Sequence, residues 1–194
     1  MRIGIDISQL AHRDTGVANF LENLVENLIS VDKENEYILF FSSLRNKPND
    51  EFIKKVSSLG GKRVRIKTIY IPPTLIEYIW NKLHLFPVEL FIGKIDIFLS
   101  SDWVQPPTNA KKATILYDLI VYKYPEETHN KWDFNLKRLM ISPNIVASQK
   151  RRLKYVVGEC DIIFCISQST KKDAMRILKI PEHKLKVITP GLTL

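Results

Sequence analysis

Near the N-terminus, chemistry-bearing residues sit between a strand-like run and a helix-like run. Ser8 to Gly16 reads SQLAHRDTG, with His12, Asp14 and Thr15 close to Gly16. Where a strand leads into a helix, the first N–H groups of the helix lack intrahelical partners and can face an anion such as phosphate. Gly16 would let a phosphate come close, and Thr15 would add a hydroxyl. The competing reading is a plain helix start capped by Asp14 or Thr15. His12 is the one histidine singled out in this way. His84, His129 and His183 are dispersed and give no zinc spacing. Neither a Gly-x-Gly-x-x-Gly run nor a Walker sequence is present, so spacing alone marks no dinucleotide or ATP site.

Three further groups could carry chemistry. Tyr117-Asp118 closes an apolar run, and a carboxylate at the end of a strand can act as a general base or hold a substrate hydroxyl. Asp118 as a turn cap is the alternative. Ser167-Gln168-Ser169-Thr170-Lys171-Lys172 precedes a helix-like run, and its hydroxyls and cations could hold an anion, or Ser169 could simply cap the helix. Lys150, Arg151, Arg152 and Lys154, with Lys137 and Arg138 earlier, could meet anionic headgroups. A solvated helix face is the plainer reading of such a run. No Ser-His-Asp order with a nucleophile elbow is visible.

Hydrophobic periodicity supplies the elements that would position these groups. Strand-like runs are Arg2–Ile7, Glu36–Ser42, Arg63–Ile71, Asp96–Ser100, Ala113–Tyr117, Asp161–Ile166 and Lys184–Ile188. Helix-like runs are Gly16–Ser30, Asn49–Leu59, Thr74–Phe86 and Ser169–Leu178, plus a long region from about Asn130 to Gly158 broken near Pro143. In Thr74–Phe86 the expected apolar side is Leu75, Ile79, Leu83 and Phe86. Strands and helices alternate, which predicts an α/β fold: a Rossmann-like, doubly wound, mostly parallel sheet with helices on both faces. Ligands of such sheets bind beyond the carboxyl ends of the strands.

Composition sets the outer limits. The chain has 194 residues, 45% of them hydrophobic, enough to bury a core in one domain or two small ones. A net charge of +8 suits anionic partners without demanding them. Cys160 and Cys165 are five apart, which on a strand sends them to opposite faces and argues against a disulfide. Asp6 interrupts the N-terminal apolar run, so that run does not read as a signal peptide. No run reaches the roughly 20 apolar residues of a membrane span. The expectation is a soluble protein of a reducing, cytoplasmic compartment.

Taken together, four stretches resemble the N-terminal domain of the family-four retaining glycosyltransferases, which have the GT-B fold. Ile3-Gly4-Ile5-Asp6 followed by Thr15-Gly16-Val17-Ala18-Asn19-Phe20 is similar to the family's first strand and glycine loop. Tyr117-Asp118-Leu119-Ile120 with Tyr124-Pro125-Glu126 resembles its His-Asp-Leu-Ile and Tyr-Pro-Glu segments. Cys165-Ile166-Ser167-Gln168-Ser169-Thr170-Lys171-Lys172-Asp173 resembles its Ser-x-x-Ser-Lys-x-Asp helix start. Ile180-Pro181-Glu182-His183-Lys184-Leu185 and Val187-Ile188-Thr189-Pro190-Gly191 resemble its exit toward a second domain.

The resemblance implies transfer of a sugar from a nucleotide-sugar to a glycan or lipid-linked acceptor, with retention and generally without a metal or other cofactor. Residues 1–191 would form the acceptor-side domain, and 192–194 would begin the linker to a donor-binding domain or partner chain. Thr15 and Gly16 would approach the donor phosphates, with Asp118 and Tyr117 on the acceptor side. Ser167, Lys171 and His12 would lie at the cleft edge. Peripheral contact with the inner membrane face fits the same family. The chain departs from the pattern at Asp14, where Gly is usual, and at Tyr117, where His is usual. Those departures leave open a different class: a non-catalytic module of the same fold that docks a partner chain or a membrane surface. Nucleic acid is not an expected partner, since the basic residues are scattered and no aromatic stacking platform is evident.

Overall fold

The computed structural model describes residues 1–12, 15–124 and 145–191. The strands are β1 (Arg2–Asp6), β2 (Glu36–Ser42), β3 (Val64–Ile69), β4 (Ile97–Ser100), β5 (Lys111–Leu116), β6 (Ile162–Cys165) and β7 (Leu185–Val187). The helices are α1 (Gly16–Val31), α2 (Asp50–Gly60), α3 (Pro73–Glu77), α4 (Glu89–Ile92), α5 (Ile120–Lys123), α6 (Ile145–Glu159) and α7 (Gln168–Ile177). A π-helical segment, Tyr78–Leu83, continues α3. The strands form one seven-stranded sheet in the order β3-β2-β1-β4-β5-β6-β7. Every adjacent pair is parallel. This is a Rossmann-like doubly wound fold, and its strand order reverses between β1 and β4.

Two-residue alternation sorts the central strands between two cores. From β2, Tyr37, Leu39 and Phe41 join Ile5, Leu21, Val25, Phe52 and Val56 beneath α1 and α2. Ile38 and Phe40 point the other way, packing with Ile76, Trp80, Val88 and Phe98 beneath α3, the π-segment and α4. A third cluster, with Leu153, Val156, Ile163 and Ala174, lies beneath α6 and α7. Helices therefore cover both faces. The same alternation places Gly4 and Asp6 of β1, and Ser42 of β2, on the side of the second core. Gly4 is small for a reason: a Cβ there would lie 2.9 Å from Phe98 Cδ2 and 3.0 Å from Ile92 Cδ1.

Two expectations need correction. The helix-like run Thr74–Phe86 does not bury Leu75, Leu83 and Phe86, which are exposed, while Ile79 is only partly buried. Its buried side is Ile76, Glu77, Trp80 and Asn81. The buried positions keep i, i+4 spacing but are turned by one residue from the expected stripe, already at Leu75 and Ile76 ahead of the π-segment. The basic run on α6 is not a uniformly solvated face either. Arg152 is fully buried, because it sits four residues from both Ser148 and Val156 on the inward stripe. Arg151 pairs with the buried Glu77 at 2.8 Å. Lys154 is exposed, and Lys150 lies over the Tyr122 ring.

Cys160 and Cys165 are free, buried thiols, and burial pushes them up to about 12 and about 11 respectively. Among the described residues no helix is long and apolar enough to cross a membrane. Asp14, Pro125-Glu126, His129, Lys137, Arg138, the break near Pro143 and residues 192–194 lie outside the described residues.

Candidate functional site

A cleft opens over the carboxyl ends of β1 and β2, beside the strand-order reversal, walled by the loops after these strands, by α3 with its π-segment and by Trp103 and Val104 of the loop after β4, and its floor is built on Asp6. This carboxylate ends β1 and is 1% exposed. Its Oδ1 accepts hydrogen bonds from Ser8 N at 2.9 Å and Ser8 Oγ at 2.6 Å. Its Oδ2 accepts from Ser101 Oγ at 2.6 Å. Ser8 Oγ in turn accepts from Ser42 N at 2.9 Å, which carries the network to the end of β2. Burial pushes the Asp6 carboxyl above the usual carboxylate range, against the hydrogen bonds from Ser101 and Ser8, which favour the charged form.

Above this floor lies a cleft of about 530 Å³, within the range of small-ligand sites. Phe40, Ile76, Trp80 and Val104 give it apolar walls, while Asp6, Ser8, Ser42 and Trp103 supply polar atoms. His12 and Arg45, both exposed, stand at its edge. Two of the polar atoms stand out. Ser42 Oγ and Trp103 Nε1 are buried and have no hydrogen-bond partner among the described residues.

The loop carrying Trp103 is fastened residue by residue. Ser101 is held by Asp6, and the Asp102 carbonyl accepts from Gln149 Nε2 at 2.7 Å. The Asp102 carboxylate meets Arg152 Nη1 at 3.0 Å. Burial pushes Asp102 up to about 6; Arg152 pulls it down, and Asp118 adds a smaller upward push. The Trp103 carbonyl accepts from Asn81 Nδ2 at 3.0 Å, and Asn81 Oδ1 takes the Gln105 N–H at 2.9 Å. The Gln105 side chain is buried against Ser100 Oγ and Cys160 Sγ. The cleft is therefore pre-formed on this side.

The residues singled out from sequence spread along the carboxyl edge. Of the loop Ser8 to Gly16, Ser8, Gln9, Ala11 and His12 line the cleft, and of the other described residues singled out none does. Thr15 caps α1, accepting from Ala18 N at 3.2 Å and donating to the His12 carbonyl at 3.0 Å, and Gly16 is exposed in the first turn. Tyr117 is buried in the core beneath α1, edge-on to Phe20 with centroids 5.7 Å apart. Burial raises its phenol strongly. Asp118 is exposed and its Oδ1 accepts from Ile120 N at 3.0 Å, closing its own turn. Ser167 caps α7 through Thr170 N at 3.0 Å, and Thr170 Oγ1 donates to the Tyr117 carbonyl at 3.0 Å. Lys171 pairs with Glu182 at 2.8 Å. The β1 and β5–β6 ends thus form two neighbouring groups, and the cleft lies at the first.

Asp6, Ser42 and Trp103 carried no site role in the sequence reading. Asp6 had a signal, since a carboxylate inside an apolar strand run must find buried partners. Ser42 and Trp103 had none, because only the fold shows that their polar atoms go unpaired. Among the described residues no group of three His, Cys, Asp or Glu side chains could hold a metal ion. No protein-family model matches the chain, and no curated protein sequence matches it either.

Proposed function

We propose that this chain is the acceptor-side half of a sugar-transferring enzyme that uses a nucleotide-sugar donor. The observation that carries the reading is the cleft at the strand-order reversal, floored by Asp6 and edged by His12, on the same sheet edge as the α1 N-terminus. Ligands of open parallel sheets bind at this reversal. In the first turn of α1, the Gly16 and Val17 N–H groups have no intrahelical acceptor, and Thr15 takes the N–H of Ala18. These amides would face the donor phosphates, with the nucleotide held by a second domain. The acceptor would occupy the cleft, whose lining does not include Asp118 or Tyr117. The quoted motif resemblances support the same assignment.

The test is to join this chain to a nucleotide-binding half from the downstream or neighbouring reading frame and assay nucleotide release from nucleotide-sugars with glycan acceptors. Transfer by the joined protein, and none by the 194-residue chain, is the expected result. Robust transfer by the chain alone, or none by the joined protein, would sink the reading.

A binding or assembly module is the second reading. Thr15, Asp118 and Ser167 all spend side-chain oxygens on their own backbone turns, as plain caps do. Ligand or partner binding with no turnover in the joined protein would favour it.

A further inference from the structure

We propose that the outward face of α3, its π-segment and α4 docks onto an anionic lipid surface. Leu83, Leu85, Phe86 and Leu90 enter the headgroup layer, and Lys82, Lys94 and Lys111 meet the headgroup charges. This docking goes beyond the transferase reading and does not depend on it.

The run from Thr74 to Phe86 is apolar on two sides. Ile76 and Trp80 fill the second core, and Val88 and Ile92 join them there. The α3 helix, the π-segment and α4 therefore lie in one layer over the same face of the sheet, with their other side chains turned away from it. Leu75, Leu83, Leu85, Phe86 and Leu90 are all exposed, Leu90 at 69%, Phe86 at 53% and Leu85 at 50%. Single apolar residues scattered on a surface need no explanation, whereas several on adjoining elements mark an interaction surface. A helix that is apolar all round has something to cover its second side.

The tip of this face is held out. His84 and Phe86 both take left-handed backbone, φ 54 and φ 61, a region that bulky residues rarely enter. Trp80 Nε1 donates to the Phe86 carbonyl at 2.9 Å, and Leu85 N to the Ile79 carbonyl at 3.1 Å. The His84 ring bridges the Trp80 carbonyl at 2.9 Å and Glu159 at 2.8 Å. A turn pinned in this way presents Leu85 and Phe86 to the outside instead of folding them in.

Charge selects the occupant. Lys82, Lys94 and Lys111 are exposed and form no ion pair among the described residues. Lys94 lies just past α4, and the Lys111 N–H bonds to the Asp96 carbonyl close by. The carboxylates around them are already engaged: Glu77 by Arg151, Glu89 by Thr108 and Asn109, Asp96 by the Arg2 N–H, and Glu159 by His84 and Lys112. Unanswered cations thus surround apolar tips. A second copy of this chain would bring those same cations together across a two-fold axis. An anionic bilayer answers both features: its headgroups take the lysines, and its interface takes leucine and phenylalanine side chains of any outline. Lys82 Nζ stands 4.8 Å over the Tyr78 ring, a cation carried on an apolar body, as suits such a boundary.

Vesicle flotation and amide exchange on the 194-residue chain test the docking. Vesicles of phosphatidylcholine mixed with phosphatidylglycerol are compared with phosphatidylcholine alone. The native chain is expected to float with the anionic vesicles, to be released by salt, and to gain exchange protection over residues 83–92 but not along α2. Phe86→Asn keeps the left-handed turn, which Asn enters readily, and Leu90→Ser changes only an exposed position. Each should weaken vesicle binding roughly tenfold, and Lys82→Gln about fivefold. All three variants should melt near the native temperature, so that lost binding is not lost folding.

Failure to float with anionic vesicles, equal binding to both vesicle types, or protection confined to other parts of the chain would each overturn the proposal. So would vesicle binding left intact in all three variants, or self-association that Phe86→Asn and Leu90→Ser abolish in a chain that ignores vesicles. The two readings fail separately. Vesicle binding without transfer by the joined protein removes the enzyme and keeps this face. Transfer by a joined protein that binds no vesicles keeps the enzyme and removes this face.

Discussion

Asp6 and Ser101 lie 95 positions apart in the chain, and their side chains meet at 2.6 Å. The contact joins the end of β1 to the loop after β4, the two strands between which the sheet order reverses. A parallel sheet splays its outgoing loops at that point. Here a buried carboxylate, taking three donors from two loops, fixes the width of the gap. Function and stability therefore meet at one residue.

Replacing Asp6 by Ala leaves Ser8 N, Ser8 Oγ and Ser101 Oγ without their acceptor. At about 1 kcal/mol each, the loss is about 3 kcal/mol. The native carboxyl has a further signature. Burial raises its pKa above the ordinary 3.8, so the folded protein binds this proton more tightly than the unfolded chain does. Its contribution is fully present below the unfolded value and is lost as pH rises through the folded one. Asp6→Asn should flatten that part of the profile while costing stability at low pH. Urea midpoints of the native and Asn proteins across acid to neutral pH decide it, and parallel curves would refute it.

Gly4→Ala should destabilise by roughly 1–3 kcal/mol, the usual cost of overpacking. The new methyl would sit 2.9 Å from the Phe98 ring and 3.0 Å from Ile92 Cδ1, while Ile95 at 3.3 Å blocks a sideways retreat. The variant should stay folded with a shifted near-ultraviolet spectrum, because Phe98 must turn beneath the sheet. An unchanged denaturation midpoint would show that the second core is looser than its packing indicates.

Why some of this was legible in the sequence, and some not, follows from the range of the forces involved. The strands and the α/β alternation are written in local periodicity, and β2 shows it best, since EYILFFS is buried on both faces. The cap at Thr15 is local too, whereas the last helix is capped by Ser167 and not by Ser169, the serine expected there, which lies inside its first turn. The burial of Arg152 was hidden because a run of cations reads as a surface, although its spacing to Ser148 and Val156 was already inward. The inward side of Thr74–Phe86 was hidden because the run carries apolar residues on two faces, and the stripe through Ile76 and Trp80 is the buried one. The cleft is the extreme case. Its lining comes from four separate stretches of the chain, which only the fold brings together.

Lys179 offers a test at a helix end. It follows α7 with φ 56, the left-handed region that glycine enters freely and lysine does not. The residue is exposed, and the Ile180 N–H returns to the Ala174 carbonyl across it. Lys179→Gly should therefore relieve strain at C′ and stabilise by about 0.5–1 kcal/mol. Since α7 carries Ser167 at its other end, the gain should appear as slower amide exchange along α7. A loss of stability would mean that the Lys179 side chain does something its exposure conceals.

Arg152 provides the sharpest prediction about the loop that carries Trp103. Its guanidinium is fully buried and divides its donors between Asp102 Oδ1 at 3.0 Å, Gln149 Oε1 at 3.3 Å, Thr114 Oγ1 at 3.1 Å and the Ile115 carbonyl at 3.2 Å. Arg152→Ala removes one partner of a buried pair and should cost roughly 3–5 kcal/mol. The cost should depend on pH, with a sign set by Asp102. Burial holds that carboxyl at about 6, above its ordinary 3.8, even though Arg152 pulls it down. Below 3.8 the carboxyl is neutral in both states, so the arginine has little charge to answer. Above 6 the native protein carries an ionised, paired Asp102, whereas the variant must either bury that charge alone or keep its proton. Between 3.8 and 6 both folded proteins keep this proton, so the gap in melting temperature between native and Arg152→Ala proteins should widen only as pH rises above about 6, where the native carboxyl ionises first. A gap of constant size would place the role of Arg152 in its bonds to Thr114 and Ile115 and not in its grip on the β4 loop. In that case Trp103 should keep its native fluorescence in the variant.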